Sequence, residues 1–186
     1  IDDLNRIFAQ IFTIVAIVAI INAINFIDGI DGLAISVISF FIICFEVFSS
    51  GSSGFKSLSI IVLASFIPLL YYNFKKSKKI FLGDSGSLFL GGLVSIYILQ
   101  ILSSEYIIKS DLDINKVLFV VSILFYPIID LIRIFIIRIS KRKSPFIADK
   151  NHLHHILLQS NHSHWKTTLI IIGMSVLINL GFQIIL

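Results

Sequence analysis

The sequence predicts an all-α, polytopic membrane protein of about six transmembrane helices, and three observations predict it. Of its 186 residues, 56% are apolar and only 14% are charged, against roughly 25% charged in soluble domains. The mean hydropathy is +0.97. The apolar residues gather into long runs separated by short polar stretches, as a chain crossing a ~30 Å hydrocarbon core in steps of about 20 residues must.

The runs are Ile7–Ile27, Leu33–Phe48, Ser57–Phe74, Ser85–Leu102, Val117–Ile137 and Thr167–Leu186. Lipid offers backbone groups no partner, so each run is expected to be helical or buried within the bundle. None shows the roughly ten-residue alternation of a membrane β-barrel. The second run is short and carries Glu46 near its end; it is expected to tilt or to extend into the headgroups. The fifth holds Asp130 and Arg133, spaced to pair across one helical turn. Ions inside a span default to a functional reading, and a structural ion pair is the alternative. Pro68, Tyr71, Tyr72 and Pro127 read as packing and headgroup-belt residues. The lone cysteine, Cys44, lies within an apolar run and allows no intrachain disulfide. The first residue is Ile1 and the only methionine is Met174. No basic segment leads into a short apolar core with a cleavage site, so no signal peptide is read. Residues 1–186 are expected to form one transmembrane domain, truncated at its N-terminus.

Charge orients the bundle. Lys75, Lys76, Lys78 and Lys79 crowd one loop, and Arg138, Lys141, Arg142, Lys143, Lys150 and Lys166 another. The loop at 49–56 has only Lys56, and the loop at 103–116 mixes Glu105, Asp111 and Asp113 with Lys109 and Lys116. A Lys/Arg excess marks the cytoplasmic side. The turn at 28–32, the lysine loop and the histidine-bearing loop are therefore expected to share the cytoplasmic face. The N-terminus, with Asp2-Asp3, is expected on the other face, which makes that pair a solvated end.

Three motifs fall on the cytoplasmic side. In the first, Asn22, Asn25, Asp28 and Asp31 recur every third residue, a spacing that stacks side chains along one helical face. Gly29 and Gly32 follow within it, where a missing Cβ permits close approach. A capped, solvated turn is the plain structural alternative. The second, Phe81-Leu82-Gly83-Asp84-Ser85-Gly86-Ser87, opens the fourth run. Free N–H groups at a helix start attract phosphate. A carboxylate there opposes phosphate unless a cation lies between, and Mg²⁺ takes one or two carboxylates plus phosphate oxygens. Asp84 thus reads as a metal–pyrophosphate ligand or as a helix cap. The third runs from Ser144 to His155, with His152, His154 and His155 near Arg142. Imidazole, guanidinium and ammonium groups together suit an anionic substrate. A zinc site and a basic surface that binds lipid headgroups are the alternatives. His162 and His164 flank Trp165 and read as headgroup-belt residues.

Together the three motifs resemble those of the polyprenyl-phosphate N-acetylhexosamine-1-phosphate transferases, glycosyltransferase family 4. That family includes phospho-N-acetylmuramoyl-pentapeptide transferase and the enzymes that initiate O-antigen, common-antigen and teichoic-acid chains. Asn22–Leu33 is similar to its N-A-x-N-x-x-D-G-x-D-G-L block, Phe81–Leu88 to F-x-G-D-x-G-S-L, and Ser144–His155 to S-P-F-x-x-D-x-x-H-L-H-H. The H-x-H-H form resembles the polysaccharide-initiating branch. The resemblance implies transfer of N-acetylhexosamine 1-phosphate from a UDP-sugar to undecaprenyl phosphate, with release of UMP, as a first step of envelope polysaccharide synthesis. It implies Mg²⁺ held by Asp84 and Asn25, and catalytic roles for Asp84, Asp28, Asp31, His154 and His155. It also implies substrate contacts by Asn22, Asn25, Phe81 (stacked on uracil), Asn73, Arg142 and His152. The expected partners are the UDP-sugar, the polyprenyl phosphate, the bilayer and a second copy of the chain, with no nucleic acid. The expected location is the bacterial inner or plasma membrane, with the site on the cytoplasmic face. The chain departs from the family twice. It offers no Asp-Asp pair on the motif side, so residues 1–186 alone are expected to be inactive. Asn73 also stands eleven residues before Asp84, one more than the family spacing. A transporter, or an inactive scaffold that binds lipid phosphate, is the alternative function.

Overall fold

The computed structural model describes residues 3–50, 54–75, 77–108, 115–142, 144, 152–160 and 162–185. Asp2, Lys76, Lys109, Asp111, Asp113, Lys143 and residues 145–151 of the third motif lie outside them. Among the described residues eight helices follow in order: α1 (Asp3–Ile27), α2 (Leu33–Val47), α3 (Lys56–Asn73), α4 (Gly83–Leu102), α5 (Lys116–Ile123), α6 (Phe125–Ser140), α7 (Leu153–Gln159) and α8 (His164–Ile185). No strand forms among the described residues; only an isolated bridge joins Ser49 to Ile108.

Among the described residues each apolar run forms helix. α1, α3, α4 and α8 are long and apolar enough to cross a membrane. The all-α, membrane-spanning expectation therefore holds, with two refinements. α2 has only 15 residues, about 22 Å of helix. It occupies the middle of the bundle, against α1, α3, α4, α5 and α8. Leu33, Ala34, Ile38, Phe41, Ile42 and Phe45 are fully buried there, so α2 serves as core and its neighbours meet the lipid.

The fifth run breaks into α5 and α6, bent by 79°. Leu124 sits at the break (φ −106°, ψ 20°). Pro127 explains the position. Its ring has no N–H for the carbonyl four residues back and crowds that carbonyl, so a helix entering from α5 cannot pass it, while a helix beginning at Phe125 holds it in its first turn at no cost. Asn115 starts α5 by accepting the Val117 N–H at 2.8 Å. A polar ladder ties this region to α8: Gln183 donates to Asn179 at 2.7 Å, and Asn179 to Ser122 at 2.9 Å. Such bonds hold helices together where lipid supplies no hydrophobic drive.

α1 lies between α4 and α6. Against α4 the approach is backbone to backbone: a Cβ on Gly91 would stand 2.8 Å from the Ile21 Cα. That crossing sets the C-terminal end of α1 beside the N-terminal end of α4. The turn after α1, the end of α3, the start of α4, α7 and the start of α8 meet at this same end of the molecule.

Candidate functional site

The turn after α1 is built by its own backbone. Asp28 N–H bonds to the Asn25 carbonyl at 3.2 Å, and Gly32 turns the chain into α2 with φ +71°, a conformation glycine adopts without strain. Asn73 fastens the turn from α3. Its Oδ1 accepts the Gly32 N–H at 2.6 Å and its Nδ2 donates to the Ile80 carbonyl at 2.8 Å. The Phe74 ring fills the space a Cβ on Gly32 would need.

Asn25 and Asp28 face the start of α4. Asn25 Nδ2 donates to Ser87 Oγ at 2.7 Å and lies 3.5 Å from Asp84 Oδ1. Ser87, buried and held by its own bonds to the Gly83 and Asp84 carbonyls, locks Asn25 in place. Burial, and then the Asp84 carboxylate, push the Asp28 carboxyl up to about 6. Two carboxylates thus lie close to each other beside a helix N-terminus, with the Asn25 amide Nδ2 turned towards Asp84 and Ser87. The two carboxylates are hard oxygen donors and suit Mg²⁺ shared with phosphate oxygens. Among the described residues no three His, Cys, Asp or Glu side chains converge on a metal.

Asp31 is engaged differently. Its carboxylate pairs with Lys79 Nζ and, at 3.0 Å, with His164 Nδ1. Its carbonyl accepts from Thr168 at 3.0 Å. Asp31 therefore ties the lysine loop and α8 to the turn. Lys79 continues outward to lie 5.3 Å from the centre of the Phe81 ring, which is itself exposed.

The histidines lie on the other side of the turn. His152 caps α7 and is fixed by Asp130, whose Oδ2 is 2.7 Å from His152 Nδ1 and whose Oδ1 accepts the Leu153 N–H at 2.8 Å. The His152 ring is 5.5 Å from Phe26 and stacks at 5.4 Å on His154. His155 follows 4.4 Å from His154. His154 is fully buried, its Nδ1 3.0 Å from the Tyr126 hydroxyl and its Nε2 without a hydrogen-bond partner among the described residues. That Nε2 approaches Gly29 so closely that a Cβ there would stand 2.4 Å away. Burial, and next the neighbouring His155, hold the His154 imidazole down at about 3.

The structure thus brings Asn25, Asp28, Asp84, His152, His154 and His155 to one end of the bundle, with Asp28 and Gly29 linking the carboxylate and imidazole groups. Asn22 lies apart: its Nδ2 bonds back to the Val18 carbonyl at 2.7 Å, and it lines an apolar groove of about 490 Å³ between α1 and α6. Phe26 lies at the same groove, with the Arg138 guanidinium 5.7 Å from its ring centre. Arg142 is exposed just past α6, with φ 54° and its N–H on the Ile139 carbonyl; no contact joins it to the histidines among the described residues. Asn73, expected as a nucleotide contact, is buried, with Oδ1 on the Gly32 N–H and Nδ2 on the Ile80 carbonyl. Asp130 partners His152 and the Leu153 N–H, a pairing between distant elements. His164 is an ion-pair partner of Asp31 as well as a neighbour of Trp165. Sequence reasoning passed over Ser87, although it stands within the second motif, and Tyr126 and Lys79, which nothing local distinguished.

The fold and this polar, helix-end cluster define an integral membrane protein of helical type. The model of Glycosyl transferase family 4 matches residues 2–102, and the chain belongs to that family. It is 41% identical over 137 residues to a probable undecaprenyl-phosphate N-acetylglucosaminyl 1-phosphate transferase of Bacillus subtilis, covering 74% of this chain and 36% of the relative. It is 32% identical over 135 residues to the undecaprenyl-phosphate alpha-N-acetylglucosaminyl 1-phosphate transferase of Thermotoga maritima (73% and 40%). It is 34% identical over 119 residues to a decaprenyl-phosphate N-acetylglucosaminephosphotransferase of Mycobacterium tuberculosis (61% and 29%). The chain spans 36%, 40% and 29% of the lengths of these three relatives.

Proposed function

We propose that the full-length protein transfers N-acetylhexosamine 1-phosphate from a UDP-sugar to a polyprenyl phosphate, as a first membrane step of envelope polysaccharide synthesis. An oxygen of the lipid phosphate attacks the β-phosphorus, the bond from that phosphorus to the bridging oxygen breaks, and UMP leaves. One observation carries the reading: the Asp28–Asp84 carboxylates and the histidine cluster meet at one end of the bundle, close to an apolar groove lined by Asn22 and Phe26. The names of the relatives agree with it.

Asp84 and Asn25, with Asp28 across from them, would hold Mg²⁺. When bound, the ion supplies positive charge against the pyrophosphate. The chain's own contribution is positioning and charge complementarity, which dominate phosphoryl transfer. Exposed Phe81 offers its ring to uracil, with the Lys79 ammonium alongside. His155, packed on His154, faces the phosphates, while His152 and His154 hold the geometry. Asp31 and Asn73 brace the turn that carries Asp28. The groove between α1 and α6 takes the first isoprene units. The Lys/Arg excess of the basic loops supports a cytoplasmic face for this end. A transporter would put its polar breaks near the bilayer midplane, whereas these motifs sit at helix ends.

The test is Mg²⁺-dependent UMP release by the full-length protein. Asp84→Asn should lower it by about 100-fold or more, the scale of losing an electrostatic group in a transfer site. An Asp84→Asn protein that turns over at the wild-type rate refutes the assignment.

A further inference from the structure

A second polar constellation lies at the opposite end of α2 and α3. Glu46 is thirteen residues beyond Leu33, about 20 Å along the helix from the site end. Its Oε1 accepts from Ser59 Oγ at 2.5 Å, and Ser59 Oγ is 2.9 Å from the Tyr97 hydroxyl. Because the Ser59 proton goes to Glu46, Tyr97 donates to Ser59. Ser59 and Tyr97 are fully buried, so the carboxylate is oriented by a fixed relay. Beside it opens a cleft of about 500 Å³, bounded by Glu46, Lys56, Ile43, Val47, Ile60 and Leu63. Lys56 is exposed at its edge, and no ion pair to it is found among the described residues.

None of this serves the candidate active site. Glu46 stands in the last turn of α2, at the end opposite the candidate active site, where a span meets the headgroup layer. The chemistry narrows the occupant. An anionic lipid would meet Glu46, and a cationic amphiphile would meet Lys56. A zwitterion with a phosphate and an ammonium satisfies both. The walls are aliphatic, whereas quaternary ammonium groups are recognised by aromatic cages. A carboxylate held by a hydroxyl relay instead rewards N–H donors.

We infer that this cleft binds the headgroup of an aminophospholipid from the leaflet opposite the candidate active site, with its primary ammonium on Glu46 and its phosphate on Lys56. The acyl chains run along Ile43, Val47, Ile60 and Leu63. The inference is independent of the proposed transfer reaction.

Native mass spectrometry of the full-length protein, delipidated and then offered equimolar phosphatidylethanolamine, phosphatidylcholine and phosphatidylglycerol, tests it. Phosphatidylethanolamine should be retained about fivefold over each of the others, the size of one ion pair at a part-exposed site. Glu46→Gln should abolish the phosphatidylethanolamine preference, whereas Lys56→Ala should lower retention of all three lipids, each of which carries the phosphate, and leave the preference set by Glu46. Lys56 is exposed, so its variant folds even if loss of the carboxylate disturbs the Ser59 relay. Equal retention by the wild type, a preference for phosphatidylglycerol, a phosphatidylethanolamine preference that survives Glu46→Gln, or lipid retention that Lys56→Ala leaves unchanged overturns the site.

Discussion

Gly29 is where the carboxylate and imidazole halves of the candidate site touch. The His154 ring occupies the place of its missing side chain, and that ring is buried and fixed at Tyr126. An added methyl therefore cannot be absorbed by rotation. Gly29→Ala should lower the thermal midpoint, by an overpacking cost of about 1–3 kcal/mol. Combined with His154→Ala the loss should be smaller than the sum of the two, since the clash is gone; strict additivity would show that the contact is not the cause. His154 also predicts a pH dependence. The unfolded chain takes up a proton on this residue near 6.5, and the folded chain only near 3. Its contribution to stability is thus complete above pH 6.5 and is lost as pH falls from there towards 3, on the order of 1 kcal/mol per unit. Asp28, raised to about 6, acts with the opposite sign, favouring the fold as pH falls through 6, and does so in wild type and variant alike. Between pH 7.5 and 5 the wild type should therefore lose more thermal stability than His154→Asn, and parallel curves would contradict the assignment.

At the scale of elements, the crossing of α1 and α4 sets the distance between Asn25 and the Asp84–Ser87 turn. Gly91 meets the backbone of Ile21, whereas adjacent Gly92 faces open space. Gly91→Ala should force the helices apart, lowering both the thermal midpoint and UMP release. Gly92→Ala should leave both unchanged or raise stability slightly, because alanine is the better helix former. Equal effects at the two positions would argue against the crossing as the determinant. The same logic explains the bend at Leu124. Turning α6 away from α5 carries Asp130 and Tyr126 to the histidines and lays α6 along α1 to form the groove, which one straight span could not do.

The whole molecule is polarised. One end carries carboxylates, imidazoles and lysines. The other carries Glu46, Lys56 and an aromatic cluster in which the Tyr106 hydroxyl bonds to the Phe45 carbonyl at 2.7 Å. Between them the outer helices present bare apolar faces. If the lysine loop marks the cytoplasmic end, a cysteine at exposed Ser77 should react with a membrane-impermeant maleimide in inside-out vesicles and not in right-side-out ones, measured against the unsubstituted protein. The one native cysteine of this chain, Cys44, is buried and adds no signal. Labelling from the outside would invert the topology and move the site to the other face.

Hydropathy and motif order determined a great deal without coordinates: the membrane class, the helical nature of all six runs, and the grouping of Asn25, Asp28 and Asp84. Those properties are local, since lipid forces helices and three-residue spacing orients side chains. Tertiary structure decided which polar groups stay open and which are consumed. Asn73 and Asp31 carry the same functional groups as Asn25 and Asp28, yet packing spends the first pair on holding the turn. Asp130 reaches past its helical neighbour to a histidine in another element. Gly29 and Gly32 do yield to close approach, but to the protein's own His154 and Phe74. Such partners are set by the bend at Leu124 and by the depth of each helix in the bundle. Those are properties of how segments distant in sequence pack, and no stretch of the chain encodes them alone.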